Sequence, residues 1–433
     1  MNNQAAQSAT GLDVLHHCLG PAASAWPQAN GRLLHGSEPL GDWLKRSGQS
    51  TPAYVYHLAA IDQQVAVVRA VLPANLHLHY AIKANPNQRI IQHLSRQIDG
   101  FDCASLAEMQ QIIAIAPDKA AQASIAGPAK SDDELAFAIS HGILINAESA
   151  NELRRIQALA AQKKQRARVA LRINPPFEVK GSGMKMGGGA RPFGIDSEDI
   201  PRLIRQWQAD TSAWIDLEGF HLYTGSQNRD ATALGAGLHA AMDLIIELSQ
   251  GCDFTPRHLN LGGGFGVVYH PQDAPLDLAA LQPALLEVSA TAQTRWPGVR
   301  LNLELGRYLV AGAGIYLTRI VDKKTSRGKT YLLCDGGMHH HLALSGNLGQ
   351  ILRRNWPIVA IDQLNAPCTH PFDLAGPLCT PLDVLGQNQE LPELAVGDVI
   401  GVLQSGAYGL SASPNGFLSR PACGEYFLRD WTI

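Results

Sequence analysis

The sequence predicts a (β/α)₈ barrel followed by a second, mainly β domain. Two observations carry the barrel: short apolar strands alternate with amphipathic helices over about 250 residues, and polar residues recur where those strands end. A third marks the second domain. After about residue 309 the alternation gives way to strands separated by turns.

Residues 1–51 are rich in Ala, Gly and Pro, and the first thirty are expected to be partly mobile. Thr51–Tyr56 reads as a strand lent to the β domain, and Ile61–Val71 has helical spacing. The barrel is expected over 52–308, with strands at 77–83, 98–103, 123–126, 143–146, 168–173, 217–223, 258–261 and 301–304. Helices fill the gaps at 88–97, 105–116, 131–141, 149–163, 198–208, 230–249 and 278–293. A doubly wound sheet shows the same alternation. The barrel is favoured because Lys83, Asp102, Arg172, Tyr223, Gly262–Gly264 and Glu304 all fall at or just past strand ends, the face on which barrels build active sites. The β domain, 309–433, is expected to hold strands at 314–321, 330–334 and 399–403 and a helix over 342–354. The glycine-rich stretch 181–189 reads equally well as a connector or as a lid.

Composition excludes several classes. With 35 Lys and Arg against 38 Asp and Glu, net charge is −3, so no basic field points to nucleic acid. No apolar run reads as a membrane span, and Met1–Gln7 lacks the basic and apolar regions of a signal peptide. Seven scattered cysteines without a Cys-x-x-Cys fit a reducing cytoplasm. His339-His340-His341 is read as no metal site, because neighbours on a strand point to opposite faces and no spaced ligand set accompanies them.

The chemistry centres on Leu76–Lys83, a strand ending on a lysine before Asn85-Pro86. An amine held there can lose its proton and condense with a carbonyl. Gly262-Gly263-Gly264 follows a strand, and consecutive glycines let backbone N–H groups wrap an anion. Glu304-Leu305-Gly306-Arg307 closes the last strand: a buried carboxylate can keep a pyridine nitrogen protonated, and a guanidinium can hold phosphate. Tyr408, near a glycine turn, can also reach phosphate, and Cys379 offers a thiol as general acid. Each residue alone has a structural explanation. Together they fit pyridoxal 5′-phosphate.

At these residues the sequence resembles the pyridoxal-phosphate-dependent decarboxylases of the ornithine/diaminopimelate decarboxylase family, built on the alanine-racemase-like fold, from about Pro52 to Pro421. The resemblance implies a head-to-tail homodimer with active sites at the interface. It implies that Lys83 holds the cofactor and that Asp102 and Glu108 line the site. Gly262–Gly264, Ser226, Arg307 and Tyr408 would hold phosphate, Glu304 the pyridine nitrogen, and Cys379 from the partner subunit would protonate the carbon that lost carbon dioxide. Arg172, Thr380 and Asp383 are the substrate-side candidates.

Three departures from the family pattern stand out. Tyr223 replaces the histidine that stacks on the cofactor ring, and Leu305 replaces a proline. Thr380 stands where relatives acting on diamino acids carry Asp or Glu against the distal ammonium. A cation facing a hydroxyl stays unpaired, so the substrate's distal end is expected not to be a free amine. Stretches such as Asp335–His341 and Gly376–Pro381 are similar to the branch of glutamyl-[acyl-carrier-protein] decarboxylases of butirosin-type antibiotic biosynthesis. That branch implies a small-molecule or carrier-linked amino acid as substrate. The competing expectations are a free diamino-acid decarboxylase and an inactive binding homologue.

Overall fold

Every barrel strand finds two parallel neighbours. The computed structural model describes residues 9–209, 214–348 and 353–429. Strands β1 (Leu76–Ala81), β2 (Gly100–Cys103), β3 (Ala123–Ile125), β4 (Leu144–Ala147), β5 (Ala167–Asn174), β6 (Ile215–Leu222), β7 (His258–Gly263) and β8 (Arg300–Leu305) pair in chain order. β8 pairs back onto β1, with Glu304 opposite His79, and the barrel is closed. Each predicted barrel strand is present within two residues at either end. Alternation along β1 separates Leu78 and Tyr80 from His79 and Ala81. The polar set is deeply buried: His79, Asp102, Asn146, His221, Asn260, Asn302 and Glu304 are each at most 7% exposed.

Local chemistry starts the helices. Asn87, Ser105, Ser131, Ser149, Asp230 and Asp277 each accept a backbone N–H in the first turn of the helices beginning at Gln88, Leu106, Asp132, Ala150, Ala231 and Leu278. Each such cap contributes about 1 kcal/mol. Helix Ala231–Gly251 is long and apolar enough to cross a membrane by length and composition, contrary to the expectation of no such run. Here it packs on Leu278–Arg295, with Leu234, Leu238 and Ile245 buried.

These strands and helices belong to one compact unit, Val68–Gly266 with Leu276–Gly306. The other unit comprises the chain up to Val67, Val267–Pro275 and the chain from Arg307 on. Its central strand, Gly314–Ser326, pairs antiparallel with Ala53–Tyr56, Lys329–Cys334 and Val399–Val402. Gly424–Phe427 adds to Ala53–Tyr56 in parallel.

Three expectations for this unit are corrected. The region read as partly mobile holds helix Gly11–Leu19, which opens on a Thr10/Asp13 capping box and buries Leu15, Cys18 and Leu19. Trp26 is also buried, its indole N–H donating to Gly312 O at 2.9 Å. The helix expected over 342–354 reduces to one 3₁₀ turn, Ala343–Ser345, ended by Gly346 at φ +77°; positions 349–352 lie outside the described residues. His339–His341 form a turn rather than a strand, the N–H groups of His340 and His341 both donating to Gly337 O.

Candidate active site

β1 ends at Ala81, and a 3₁₀ turn, Ile82–Ala84, presents Lys83. The Tyr80 hydroxyl donates to Asn85 O at 2.9 Å and fixes the turn from below. Lys83 is exposed, and its Nζ stands 5.4 Å from the centre of the Tyr223 ring, just past the end of β6. An amine over an aromatic face at a barrel mouth is placed to meet an incoming carbonyl.

The glycine turn is dictated by crowding. Gly262 and Gly264 have φ of +70° and +73°, and a Cβ on any of the three would run into the backbone carbonyls of Leu222, Glu304 or Gly225. Ser226 is close by in the chain's packing: Gly264 approaches Gly225 and Ser226, and the buried Ser226 Oγ has no hydrogen-bond partner. A hydroxyl left unsatisfied beside a glycine cradle suits an anionic oxygen. The glycine-rich stretch 181–189 is pinned to the same segment. Met184–Lys185 pairs antiparallel with Gly225–Ser226, and Gly183 N donates to Ser226 O at 2.9 Å.

Glu304 ends β8 buried, and two side chains meet its Oε2. Asn260 Nδ2 donates to it at 3.0 Å, and His221 Nε2 lies at 3.4 Å. Burial pushes the carboxyl pKa up, but His221, Lys83 and Arg172 outweigh it and hold the group down at about 2. A carboxylate ionised this firmly can hold a proton on a basic ring nitrogen. Asn260 Oδ1 also accepts from Gly262 N at 2.8 Å, so one residue braces both the acid and the anion cradle.

Asp102 is buried on β2. Its Oδ1 accepts from Ser124 Oγ at 2.7 Å, Ser124 accepts from Asn146 at 3.1 Å, and Oδ2 has no hydrogen-bond partner. Glu108 accepts from Ala104 N at 2.7 Å; burial outweighs that bond and the nearby Lys83 and raises its pKa. Arg172 is buried over the Phe193 ring and bonded to Glu148 Oε1 at 2.8 Å. Glu148 also accepts from Gly127 N and Gly194 N, at 2.7 and 3.0 Å. Arg172 thus braces the barrel mouth through Glu148.

The other predicted residues lie in the β unit. Arg307 Nη1 donates to the Tyr269 hydroxyl at 2.6 Å, and its guanidinium stands 4.5 Å from the Tyr408 ring centre. Cys379 and Thr380 lie on the loop between the strands His370–Ala375 and Val384–Leu391, with Cys379 exposed. Asp383 is the only acid between Gly376 and Asp383, and both its oxygens are engaged. It accepts from Met338 N at 2.6 Å and from Leu378 N at 2.8 Å, and it is 2% exposed.

Motif reading passed over His221, Asn260 and Glu148. His221 sits two residues before Tyr223, and the period of two puts both on one face of β6; that spacing was the available signal. His221→Phe removes the group that counters Glu304's burial. We expect a fall in kcat of about 10-fold or more, from weaker proton retention on the ring nitrogen. A changed absorption spectrum of the bound cofactor checks it, because loss of packing alone leaves that spectrum unmoved.

An amine at the mouth, an N–H cradle with a spare hydroxyl and a buried carboxylate together suit a phosphate-bearing pyridine aldehyde. Comparison with known proteins agrees. The pyridoxal-binding domain of pyridoxal-dependent decarboxylases matches residues 58–311. The L-glutamyl-[BtrI acyl-carrier protein] decarboxylase of Niallia circulans is 34% identical over 388 residues, 88% of this chain and 89% of that protein. The 2-[(L-alanin-3-ylcarbamoyl)methyl]-2-hydroxybutanedioate decarboxylase of Staphylococcus aureus is 29% identical over 395 residues, 89% and 96% of the two chains. The Helicobacter pylori diaminopimelate decarboxylase solved with L-lysine superposes with a TM-score of 0.77 at 26% identity, covering 89% of this chain and 94% of that one. On fold, cofactor chemistry and sequence alike, the chain belongs to the pyridoxal-dependent decarboxylases and is an amino-acid carboxy-lyase that works with pyridoxal phosphate.

Proposed function

We propose that this enzyme removes the α-carboxylate of an amino acid whose distal end is conjugated, with a carrier-protein-linked amino acid such as a glutamyl group as the substrate class. One observation carries the reading: the Cys379 loop offers no free carboxylate. Thr380 is neutral, and both oxygens of Asp383 are occupied by backbone N–H groups. A distal ammonium brought against this loop would remain unpaired, which costs about 3 kcal/mol and lowers preference about 10²-fold. Two relatives named for conjugated substrates support it, one acting on a glutamyl carrier protein and the other on an alanine joined through a carbamoyl group.

The bound cofactor supplies an electron sink for the pair left on Cα when carbon dioxide departs. Lys83 would hold its aldehyde and, on retaking it, would give up its proton to the departing product amine. The Gly262–Gly264 turn, Ser226, Arg307 and Tyr408 bind its phosphate. Glu304, braced by Asn260 and His221, keeps a proton on its ring nitrogen, and Tyr223 covers the ring face. Cys379 donates the proton that replaces the lost carboxylate, in a homodimer. Asp383 holds the loop that carries Cys379, and Arg172 orders the mouth through Glu148.

The test offers purified enzyme with pyridoxal phosphate a glutamyl-loaded carrier protein and, separately, free diaminopimelate, ornithine, lysine and glutamate. Mass spectrometry follows the loss of carbon dioxide. Turnover confined to the loaded carrier is the expected result; efficient turnover of free diaminopimelate would place the enzyme with its diaminopimelate-specific relatives instead.

A further inference from the structure

The floor of the barrel holds a small cavity that the decarboxylation chemistry does not use. It offers about 10 Å³ to the centre of a water-sized particle, room for one such particle. Arg300, the first residue of β8, lines it. Its half-buried guanidinium has no carboxylate partner among the described residues, and its Nε is buried without a hydrogen bond.

Three carboxylates reach Arg300 with their field, and two of them are committed elsewhere. Asp99 is paired with Arg69 at 2.8 Å and accepts from Leu78 N at 2.7 Å. Glu218 takes Arg168 on both oxygens, at 2.5 and 3.0 Å. Asp102 bonds Ser124 through Oδ1, and its Oδ2 makes no hydrogen bond. A cation withdrawn from water without a counter-ion is destabilising, and the adjoining cavity is where one would sit.

A second group points the same way. His79 lines the cavity, is 2% exposed, and neither ring nitrogen has a hydrogen-bond partner. Its Nδ1 stops 3.6 Å short of Asp102 Oδ2. Whichever nitrogen carries the proton, a buried N–H donor is left unspent.

We propose that the barrel floor binds one small monovalent anion of the halide class, held by the Arg300 guanidinium and the His79 imidazole. The site lies at the N-terminal mouth, on the strands β1 and β8 that end near Lys83 and at Glu304, so occupancy ties together the two strands that close the barrel.

Bromide is the probe. Crystals of the holoenzyme soaked in sodium bromide are measured at the bromine absorption edge. Thermal midpoints are compared in sodium bromide and sodium gluconate at equal ionic strength, for wild type and Arg300→Met. We expect a bromine peak against Arg300 and a wild-type midpoint at least about 2 °C higher in bromide, a difference absent from the variant. A cavity holding only water in the bromide crystal overturns the proposal, as does an Arg300→Met protein that keeps the full bromide effect. The crystal result stands even if that variant fails to fold.

Discussion

Lys83→Ala eliminates turnover, by at least about three orders of magnitude in kcat, while the protein stays folded. Lys83 is exposed on a 3₁₀ turn, so its truncation leaves no cavity. The loss is therefore chemical. It is checked by steady-state kinetics beside the far-ultraviolet circular dichroism of the variant, and by borohydride reduction followed by peptide mass mapping. In the wild type the reduced cofactor is expected on the peptide containing Lys83, and in the variant on no peptide. A variant that retains turnover would remove Lys83 from the proposed chemistry.

Glu304→Gln has the next largest effect, a fall in kcat of about 10²-fold or more. The amide keeps the shape and the Asn260 neighbour but cannot hold a proton on the ring nitrogen. The carboxyl also bears on stability. Its folded pKa, about 2, lies below the ordinary value of 4.5. Its ionised form therefore contributes stability that is fully present above about pH 4.5 and is lost as pH falls through about 2. Acid unfolding followed by fluorescence should show a shallower pH dependence between those limits in the variant than in the wild type. Because Glu304 stays ionised throughout neutral pH, an acidic limb in the activity profile must come from another group.

The fold was legible wherever one physical rule dominates. Strands covered on both faces read as short apolar runs and helical spacing marked the segments between them, so the barrel elements emerge within a few residues; the Ser131, Ser149 and Asp277 caps stand at the starts of three of those helices. The N-terminal helix was hidden because Ala, Gly and Pro around Leu15 and Trp26 mask their burial, which depends on a distant segment around Gly312 and Leu364. The expected helix at 342–354 failed at Gly346, whose left-handed φ ends a turn that helical spacing alone would continue.

The candidate site divides in the same way. Lys83, the glycine triplet and Glu304 were readable because each is a residue type in an unusual place. The bracing was not. Asn260 reaches Glu304 on the next strand as well as Gly262 on its own, and Glu148 reaches Arg172 from a different strand end. Asp383 read as a substrate contact because it follows Thr380 in a motif, but three-dimensional packing turns its carboxylate onto two backbone N–H groups. Its place in the loop is the reason Thr380 is left without an acidic neighbour.

The measurement that bears most directly on the proposed function compares kcat/KM for substrates differing only at the distal end. L-2,3-diaminopropionate is set against its side-chain N-acyl amide, and L-glutamate against a γ-N-alkyl amide. The amides should be preferred by about 10²-fold or more over the free amine and the free acid. A preference for the free diamino acid would contradict the assignment of a conjugated substrate and return Thr380 to a neutral loop substitution.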